Sequence, residues 1–372
     1  MDTTLLTILL LLALATALAL IRSRRRDRCL RSLQDFHVTL AEHGHDLTWG
    51  RMQVYATGLE VEYPQAVVAR GGHLERSFIF YNDQFDAMTA LYRCPRGLSD
   101  EEHERRSRLI ARTVHPGLHR RVARWIRNWL GMVRDALVQA VGLVIGVAKT
   151  QAPGSAVFGT QEQQVKALSG EIIGHTGNAF DPLLERHLFT QVVVEITADG
   201  TTRSYCGWLK DYSSQFIEVL DAYANTHDTT PRPVRPYAPA DDVLPQLNVR
   251  LEEGRIYVTN RSERFFYVEG VDAGSWHQPI DAVLPPGYTA DLTLPPDVDP
   301  DAVRACVGTA DRVDMVVPRR HALVRHAAGG SDETYREYRQ RQHQQAEAPA
   351  PAHDAPAPAS GATVEASPST SA

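Results

Sequence analysis

An uncharged run from Thr3 to Ile21 opens the hydrophobic pattern of the chain, and five arginines follow it within seven residues. At about 1.5 Å per residue, this run nearly spans a hydrocarbon core of about 30 Å. A cleaved signal peptide, the alternative, carries basic residues before its apolar run, whereas Asp2 precedes this one. The pattern predicts a transmembrane anchor with a basic stop over residues 1–29, in a single-pass protein of the cell membrane whose bulk is cytoplasmic. The arginines that we assign to the membrane interface are Arg24, Arg25 and Arg26.

Alternating apolar and polar positions predict a β-rich module over residues 30–98. A short helical pattern from Cys29 to Glu42 comes first. Alternation then runs through residues 52–63 and 78–81, and the turn residues Arg70-Gly71-Gly72 divide the two stretches. Short alternating runs separated by glycine-rich turns are typical of antiparallel strands.

A helical region is predicted over residues 99–150. Ser99 and Glu102 form a capping-box pattern at its start. A longer amphipathic pattern then runs from Pro116 to about Lys149, with one apolar face. The opposite face carries arginines, and the tryptophans Trp125 and Trp129 lie on the apolar face. The arginines are Arg120, Arg121, Arg124 and Arg127.

Three interpretations of this amphipathic helix stay open on the sequence alone. It packs in the protein core, or it lies in a membrane interface with its tryptophans among the headgroups and its arginines on anionic lipid. In the third interpretation it crosses the bilayer, and Gly142 and Gly146 form a G-x-x-x-G surface for helix packing.

The next stretch combines a short helix with a strand pair. Asp181 and Pro182 predict the start of the helix, and Asp199-Gly200 predicts a hairpin turn between two strands. Characteristic residues follow at fixed spacing: Gly207, Leu209, Tyr212, Phe216 and Leu220. This stretch resembles the first sequence motif of the Sm-like family of small β-barrels. The resemblance covers about residues 181–222 and implies a small barrel over 155–224.

The residues by which Sm-like proteins contact RNA are not matched here. The family's aspartate falls at Ser213 and its asparagine at Ile217, and no second motif follows Ala222. The resemblance therefore implies a fold and argues against RNA binding.

A proline-rich linker over 225–242 leads to the last folded module. Short strand patterns separated by Pro and Gly turns predict a β-sandwich-like module over 243–325. Few core-forming residues follow, so residues 326–372 are predicted to be a disordered tail. The predicted fold class is thus α+β, with a transmembrane helix and small β-modules joined by a long amphipathic helix.

Composition and charge narrow the possible functions. The net charge of −6 among 372 residues argues against wholesale nucleic-acid binding. The four cysteines are far apart and indicate neither a zinc site nor a disulfide framework. Pro116 separates His115 from His119, so a metal site on one helix face is disfavoured. No catalytic, cofactor or metal residue is predicted.

We therefore expect a membrane-anchored, non-enzymatic interaction or scaffold protein with cytoplasmic β-modules. Its expected partners are the lipid bilayer and a protein partner or second copy, with no nucleic acid. The alternative is a channel- or transport-associated component whose helix over 116–149 enters the bilayer.

Overall fold

The structure is a computed structural model that describes residues 26–68, 73–114, 181–224, 233–239, 246–328, 335 and 337–340. Of these residues, 55% lie in strands and 17% in helices. The strands are β1 (His37–Glu42), β2 (Leu47–Val54), β3 (Gly58–Val68), β4 (Leu74–Tyr81), β5 (Met88–Arg93), β6 (Gln191–Ala198), β7 (Thr201–Tyr212), β8 (Phe216–Ala224), β9 (Arg235–Tyr237), β10 (Leu247–Glu252), β11 (Arg255–Asn260), β12 (Phe266–Ala273), β13 (Trp276–Leu284), β14 (Thr289–Thr293), β15 (Val303–Thr309), β16 (Val313–Pro318) and β17 (Ala322–Ala327).

Residues 335 and 337–340 are helical, and three further α-helices of the described part begin at residues with side-chain caps. They are α1 (Arg28–Arg31), α2 (Asp100–Val114) and α3 (Pro182–Arg186). At α2, Glu102 accepts from the Ser99 backbone and Ser99 accepts from the Glu102 backbone, which confirms the predicted capping box. At α3, the Asp181 carboxylate accepts from two backbone N–H groups ahead of Pro182, which confirms the predicted cap. Single turns of 3-10 helix cover Asn82–Gln84, Pro95–Gly97 and Pro300–Ala302.

Ten strands from three distant parts of the chain form one sheet, in the order β17-β6-β7-β8-β16-β5-β1-β2-β3-β4. Its neighbouring strands pair antiparallel, and Ala198 pairs with Thr201 across the predicted Asp199-Gly200 turn. β16 lies between β8 and β5 and joins the N-terminal strands to those after residue 190. The strands predicted in the 30–98 and 155–224 modules therefore share one sheet.

A second pair of sheets lies against the large one. Their strand orders are β10-β11-β14 and β13-β12-β15-β9. Phe265, just before β12, stacks on Tyr205 at 5.1 Å and contacts Tyr92 at 5.5 Å between ring centroids. The Val283 N–H also donates to Thr39 Oγ1 at 2.9 Å. The hydrophobic core thus runs without interruption from these sheets into the large sheet.

The fold-class prediction is wrong for the described chain. The prediction was an α+β chain with a transmembrane helix and separate β-modules joined by a long amphipathic helix. The described residues are instead mostly β, with large antiparallel sheets, and their longest helix is the 15-residue α2. The modules are joined by strand pairing, because β16 pairs with β8 on one side and with β5 on the other. Among the described helices, none combines the length and the apolar character that a membrane crossing requires.

Most residues of the predicted anchor and amphipathic helix lie outside the described residues. The predicted interface residues in this group are Arg24, Arg25, Arg120, Arg121, Arg124, Trp125, Arg127 and Trp129, together with the helix-packing residues Gly142 and Gly146. Arg26 is described: it is exposed, and its guanidinium donates to Gln34 Oε1 at 3.0 Å.

Gly207 lies where β7 and β8 shift register, between Cys206 and Trp208. A Cβ at this position would lie 2.6 Å from Val219 Cγ1 and 3.0 Å from the Ala222 Cα. Glycine is therefore required by the close approach of β8, at the first residue of the Sm-like spacing. The structure supports a steric role for this glycine, and the family resemblance itself stays a prediction.

Replacing Gly207 with alanine should lower the free energy of unfolding by about 1–3 kcal/mol, because the added methyl overpacks the β7–β8 contact. Urea denaturation followed by circular dichroism measures the change. Ser204→Ala, an exposed position of the same strand, is the control and should stay within about 0.5 kcal/mol of the parent. Equal stability of Gly207→Ala and the parent would contradict this steric account.

Candidate functional site

Four of the six buried charged side chains in the described chain form one cluster, which connects β5, α2, β16 and β8. Asp314 accepts from Arg93 Nε at 2.9 Å and from Arg106 Nε at 2.6 Å. Arg106 also donates to Asp221 Oδ1 at 2.9 Å, and the Tyr335 hydroxyl donates to Asp221 Oδ2 at 3.0 Å. We call these five residues the arginine–aspartate cluster. All are buried.

The electrostatics of this cluster suit a structural role. Burial disfavours ionisation of Asp314, but the charges and hydrogen bonds of Arg106 and Arg93 outweigh it and hold the pKa well below its usual range. Arg93 and Asp314 side chains are each 1% exposed, so a substrate in solution has no path to them. The cluster ties four elements together and is not an open catalytic site.

A second buried ion pair lies on the same sheet. Lys210 Nζ donates to Glu218 Oε1 at 2.6 Å, and Ser32, just after α1, also donates to this oxygen. Burial raises the pKa of Glu218, while Lys210 and Ser32 oppose the shift. Since both charged side chains are closed off from water, this pair also anchors elements rather than offering a reactive group.

Three loops meet at a histidine pair at one end of the sheet. His43 Nε2 lies 3.2 Å from His321 Nε2, and His43 Nδ1 lies 3.3 Å from Asp199 Oδ1. Burial, with the nearby His43 and Arg320, lowers the pKa of His321 to about 4. No group of three or more side chains suited to a metal ion occurs among the described residues. His115 and His119 lie outside them.

The positions that Sm-like proteins use for RNA have other roles here. Ser213 Oγ accepts from the Gln215 and Phe216 N–H groups at 3.1 and 2.9 Å and so shapes the β7–β8 turn. Ile217 is buried in the core. Neither residue presents a polar group for a base.

The outer edge of β4 offers a different kind of site. β4 ends the ten-stranded sheet, and no described strand pairs with its outer side. At its C-terminal end, the Tyr81 N–H donates to Gln84 Oε1 at 3.0 Å rather than to β3. Because backbone direction alternates along a strand, Ile79 and Ser77 also direct their N–H and C=O groups away from β3. The edge thus presents backbone donors and acceptors at two successive outward positions.

Apolar side chains extend this edge onto one face of the sheet. Phe78 and Phe80 point into the core, whereas Ile79 and Tyr81 on the opposite face are 54% and 53% exposed. Tyr55 is 48% exposed and borders this face, since its hydroxyl donates to the residue that pairs with Ile79. Large exposed apolar groups beside an unpaired strand edge are typical of protein-binding surfaces.

The same face carries acidic residues. Glu60 pairs with Ile79 and Glu62 pairs with Ser77, and Glu75 follows on the same face of β4. Arg51 of β2 lies opposite Glu62, but its Nε donates to the Asp35 carbonyl oxygen. Acidic groups therefore outnumber basic ones on this face of β3 and β4. We define the β4 edge surface as the outward backbone of Ser77 and Ile79 with the side chains of Ile79, Tyr81, Tyr55, Glu60 and Glu62.

Sequence patterns locate the strands of this surface but not its edge position. Alternation through residues 52–63 and 78–81 predicts strands and identifies Phe78 and Phe80 as apolar. It cannot show which strand ends the sheet, because that depends on pairing with distant strands. One feature of the sequence could have indicated the surface. Ile79 and Tyr81 are apolar although they alternate with Phe78 and Phe80, whereas a half-buried strand has polar residues at every second position.

The chain matches no family model, no curated protein and no solved structure.

Proposed function

We propose that this chain is a non-enzymatic interaction protein that binds an extended segment of a partner protein along the β4 edge surface. The observation that carries the proposal is the unpaired edge of β4, with outward backbone groups at Ser77 and Ile79 beside exposed apolar side chains. An extended segment that adds to such an edge gains main-chain hydrogen bonds, and its alternate side chains give specificity.

The chemistry of the edge surface points to one class of partner segment. Ile79 and Tyr81 favour apolar side chains on the bound strand, and Glu60 with Glu62 favours lysine or arginine on the same face. We therefore propose a segment in which apolar and basic residues share the face that covers the edge surface. The opposite edge, β17, is a weaker candidate because Arg325 lies on it and binds Glu195 at 2.9 Å.

The buried ion pairs favour an interaction role over an enzymatic one. The Arg106–Asp314 and Lys210–Glu218 contacts use their charges for internal bonds and face no cleft. These charged groups are therefore buried and already paired, whereas the β4 edge has exposed groups that a partner can bind.

Binding of short peptides to the full chain tests the proposal. The first probe is an extended peptide of valine, isoleucine and lysine in which apolar and basic residues share one face. The second is a matched peptide with glutamate in place of lysine. We expect the lysine peptide to bind at least about tenfold more tightly, a difference of about 1.4 kcal/mol. Binding should also slow hydrogen exchange at the Ser77 and Ile79 amides, since both become hydrogen-bonded.

Two variants place the peptide on the edge. Ser77→Pro removes one outward N–H without removing a bond to β3, and Ile79→Lys adds a repelling charge. Each should lower the affinity for the lysine peptide by about tenfold or more, while the thermal stability of the variant stays near that of the parent. The matched control is Leu323→Lys on β17, where an exposed apolar residue is replaced in the same way. Equal binding by Ile79→Lys and the parent, or loss of binding only in Leu323→Lys, would overturn the proposal.

A further inference from the structure

A small pocket lies between the large sheet and the smaller sheets, away from the β4 edge surface. β5, β6 and β7 form one wall, and the turn between β13 and β14 forms the other. The lining residues are Thr89, Tyr92, Ile196, Ala198, Thr201, Arg203, Tyr205, Pro285, Pro286 and Tyr288. Its volume is about 20 Å³, enough for a water molecule or a small ion.

Two hydroxyl groups in this pocket are buried without a partner. Thr89 and Tyr288 are each 3% exposed, and neither Thr89 Oγ1 nor Tyr288 OH makes a hydrogen bond within the described chain. Burial raises the pKa of the Tyr288 phenol, and a hydrogen-bonding contribution from Thr89 lowers it in part, so the two hydroxyls lie close together without the geometry of a full hydrogen bond. Even a bond between them would use only one of the two hydroxyl protons and leave the other without an acceptor. Buried hydroxyls cost free energy unless a partner satisfies them, which indicates a bound species between them.

Arg203 gives the pocket a positive charge. Among the lining residues it is the only one with a formal charge, and the wall contains no carboxylate. Its guanidinium lies over Gly287, where a Cβ would come within 3.2 Å of Nη2. Arg203 Nε lies 3.4 Å from Glu263 Oε2, but the Glu263 side chain is 70% exposed, so water screens its charge. Asp199 lies near the pocket and is engaged by His43 and the Gly44 N–H.

We propose that this pocket binds a small monoanion, of the size of chloride or of a carboxylate group. Thr89 and Tyr288 would donate their hydroxyl protons to it, and Arg203 would supply the opposite charge. A carboxylate or halide only accepts hydrogen bonds, so it can accept the protons of both hydroxyls. Because Thr89 belongs to the large sheet and Tyr288 to the β13–β14 turn, the anion would join the two layers.

Thermal unfolding of the full chain in different sodium salts at constant ionic strength tests this inference. The probes are chloride, formate, acetate and sulfate. We expect chloride or formate to raise the melting temperature with a saturable concentration dependence, because an anion that binds only the folded state stabilises it. Sulfate is too large for the pocket and should give only its general salt effect. A formate effect shared by acetate would identify a carboxylate site, whereas a chloride effect alone would identify a halide site.

Variants of the pocket decide whether the anion binds there. Tyr288→Phe removes one hydroxyl and keeps the ring, and Arg203→Gln removes the charge. Both should lower the anion affinity, fitted from the concentration dependence of the melting temperature, by about tenfold or more. This holds even if a variant without the anion melts at a different temperature from the parent. Arg261→Gln, at an exposed arginine of a nearby turn, is the matched control and should keep the parent affinity. Equal responses to sulfate and the small anions, or an unchanged affinity in both pocket variants, would overturn the inference and leave water as the occupant.

Discussion

Replacing Asp314 with asparagine should lower the free energy of unfolding by about 3–5 kcal/mol, which is one of the two largest single-residue effects that we expect in this protein. The reason is that Asp314 accepts hydrogen bonds from both Arg93 and Arg106, and all three side chains are buried. The substitution leaves two guanidinium groups in the sheet interior opposite a neutral amide. Asp221 still offsets part of the charge of Arg106, so we expect the lower part of this range if the β8 contact persists.

Urea denaturation of the full chain measures the loss, and Asp83→Asn is the matched control. Asp83 is exposed in the 3-10 turn after β4, so its substitution should change stability by no more than about 0.5 kcal/mol. The account fails if Asp314→Asn is no less stable than Asp83→Asn.

The pH dependence of the same variant gives a second check. The folded pKa of Asp314 is held below its usual range, so its contribution to stability is fully present above the unfolded pKa of about 3.9. It is lost as the pH falls through the folded pKa. The stability difference between the parent and Asp314→Asn should therefore be constant near neutral pH and shrink in acid below about pH 4. A difference that widens in acid would have the wrong sign for this cluster.

Local features of the fold were predictable from the sequence because neighbouring residues decide them. The Asp199-Gly200 turn, the Ser99 capping box and the Asp181 cap each depend on residues within a few positions. The structure confirms all three. The alternation in residues 52–63 likewise identifies strand segments of β2 and β3.

The sheet and the ion cluster were not predictable because both depend on distant pairing. Arg93 and Asp314 are 221 positions apart, and they meet only because β16 lies between β5 and β8. Arg106 lies in a helix rich in charged residues, yet its side chain is buried against the sheet. A charged side chain is expected to be exposed unless it is paired, and the partners of Arg106 are distant in the sequence.

The candidate surfaces were hidden for a related reason. The β4 edge surface depends on which strand is last in the sheet, and an edge strand and a central one share the same alternation. The anion pocket combines Thr89, Arg203 and Tyr288, whose spacing in the chain follows no motif. Each residue alone fits an ordinary strand or turn, so the chemistry arises only when the layers pack.

The second large effect that we expect is at Trp208, which holds two outer segments against the sheet. Its indole lies 5.5 Å from the Tyr335 ring and 5.1 Å from the Tyr338 ring, measured between centroids, and Ile110 of α2 belongs to the same cluster. Trp208→Ala should lower the free energy of unfolding by about 3–5 kcal/mol, because it removes a large buried aromatic side chain. Urea denaturation measures this loss.

Limited proteolysis distinguishes a local role of Trp208 from a general loss of stability. In Trp208→Ala, trypsin should cleave after Arg339 faster than in the parent under conditions where both remain folded, because the segment with Tyr335 and Tyr338 loses its packing partner. Trp208→Phe keeps an aromatic ring at this position and should give an intermediate rate and a smaller loss of stability. Cleavage after Arg339 at the parent's rate in Trp208→Ala would show that the Asp221 bond to Tyr335, rather than the aromatic cluster, fixes this segment to the sheet.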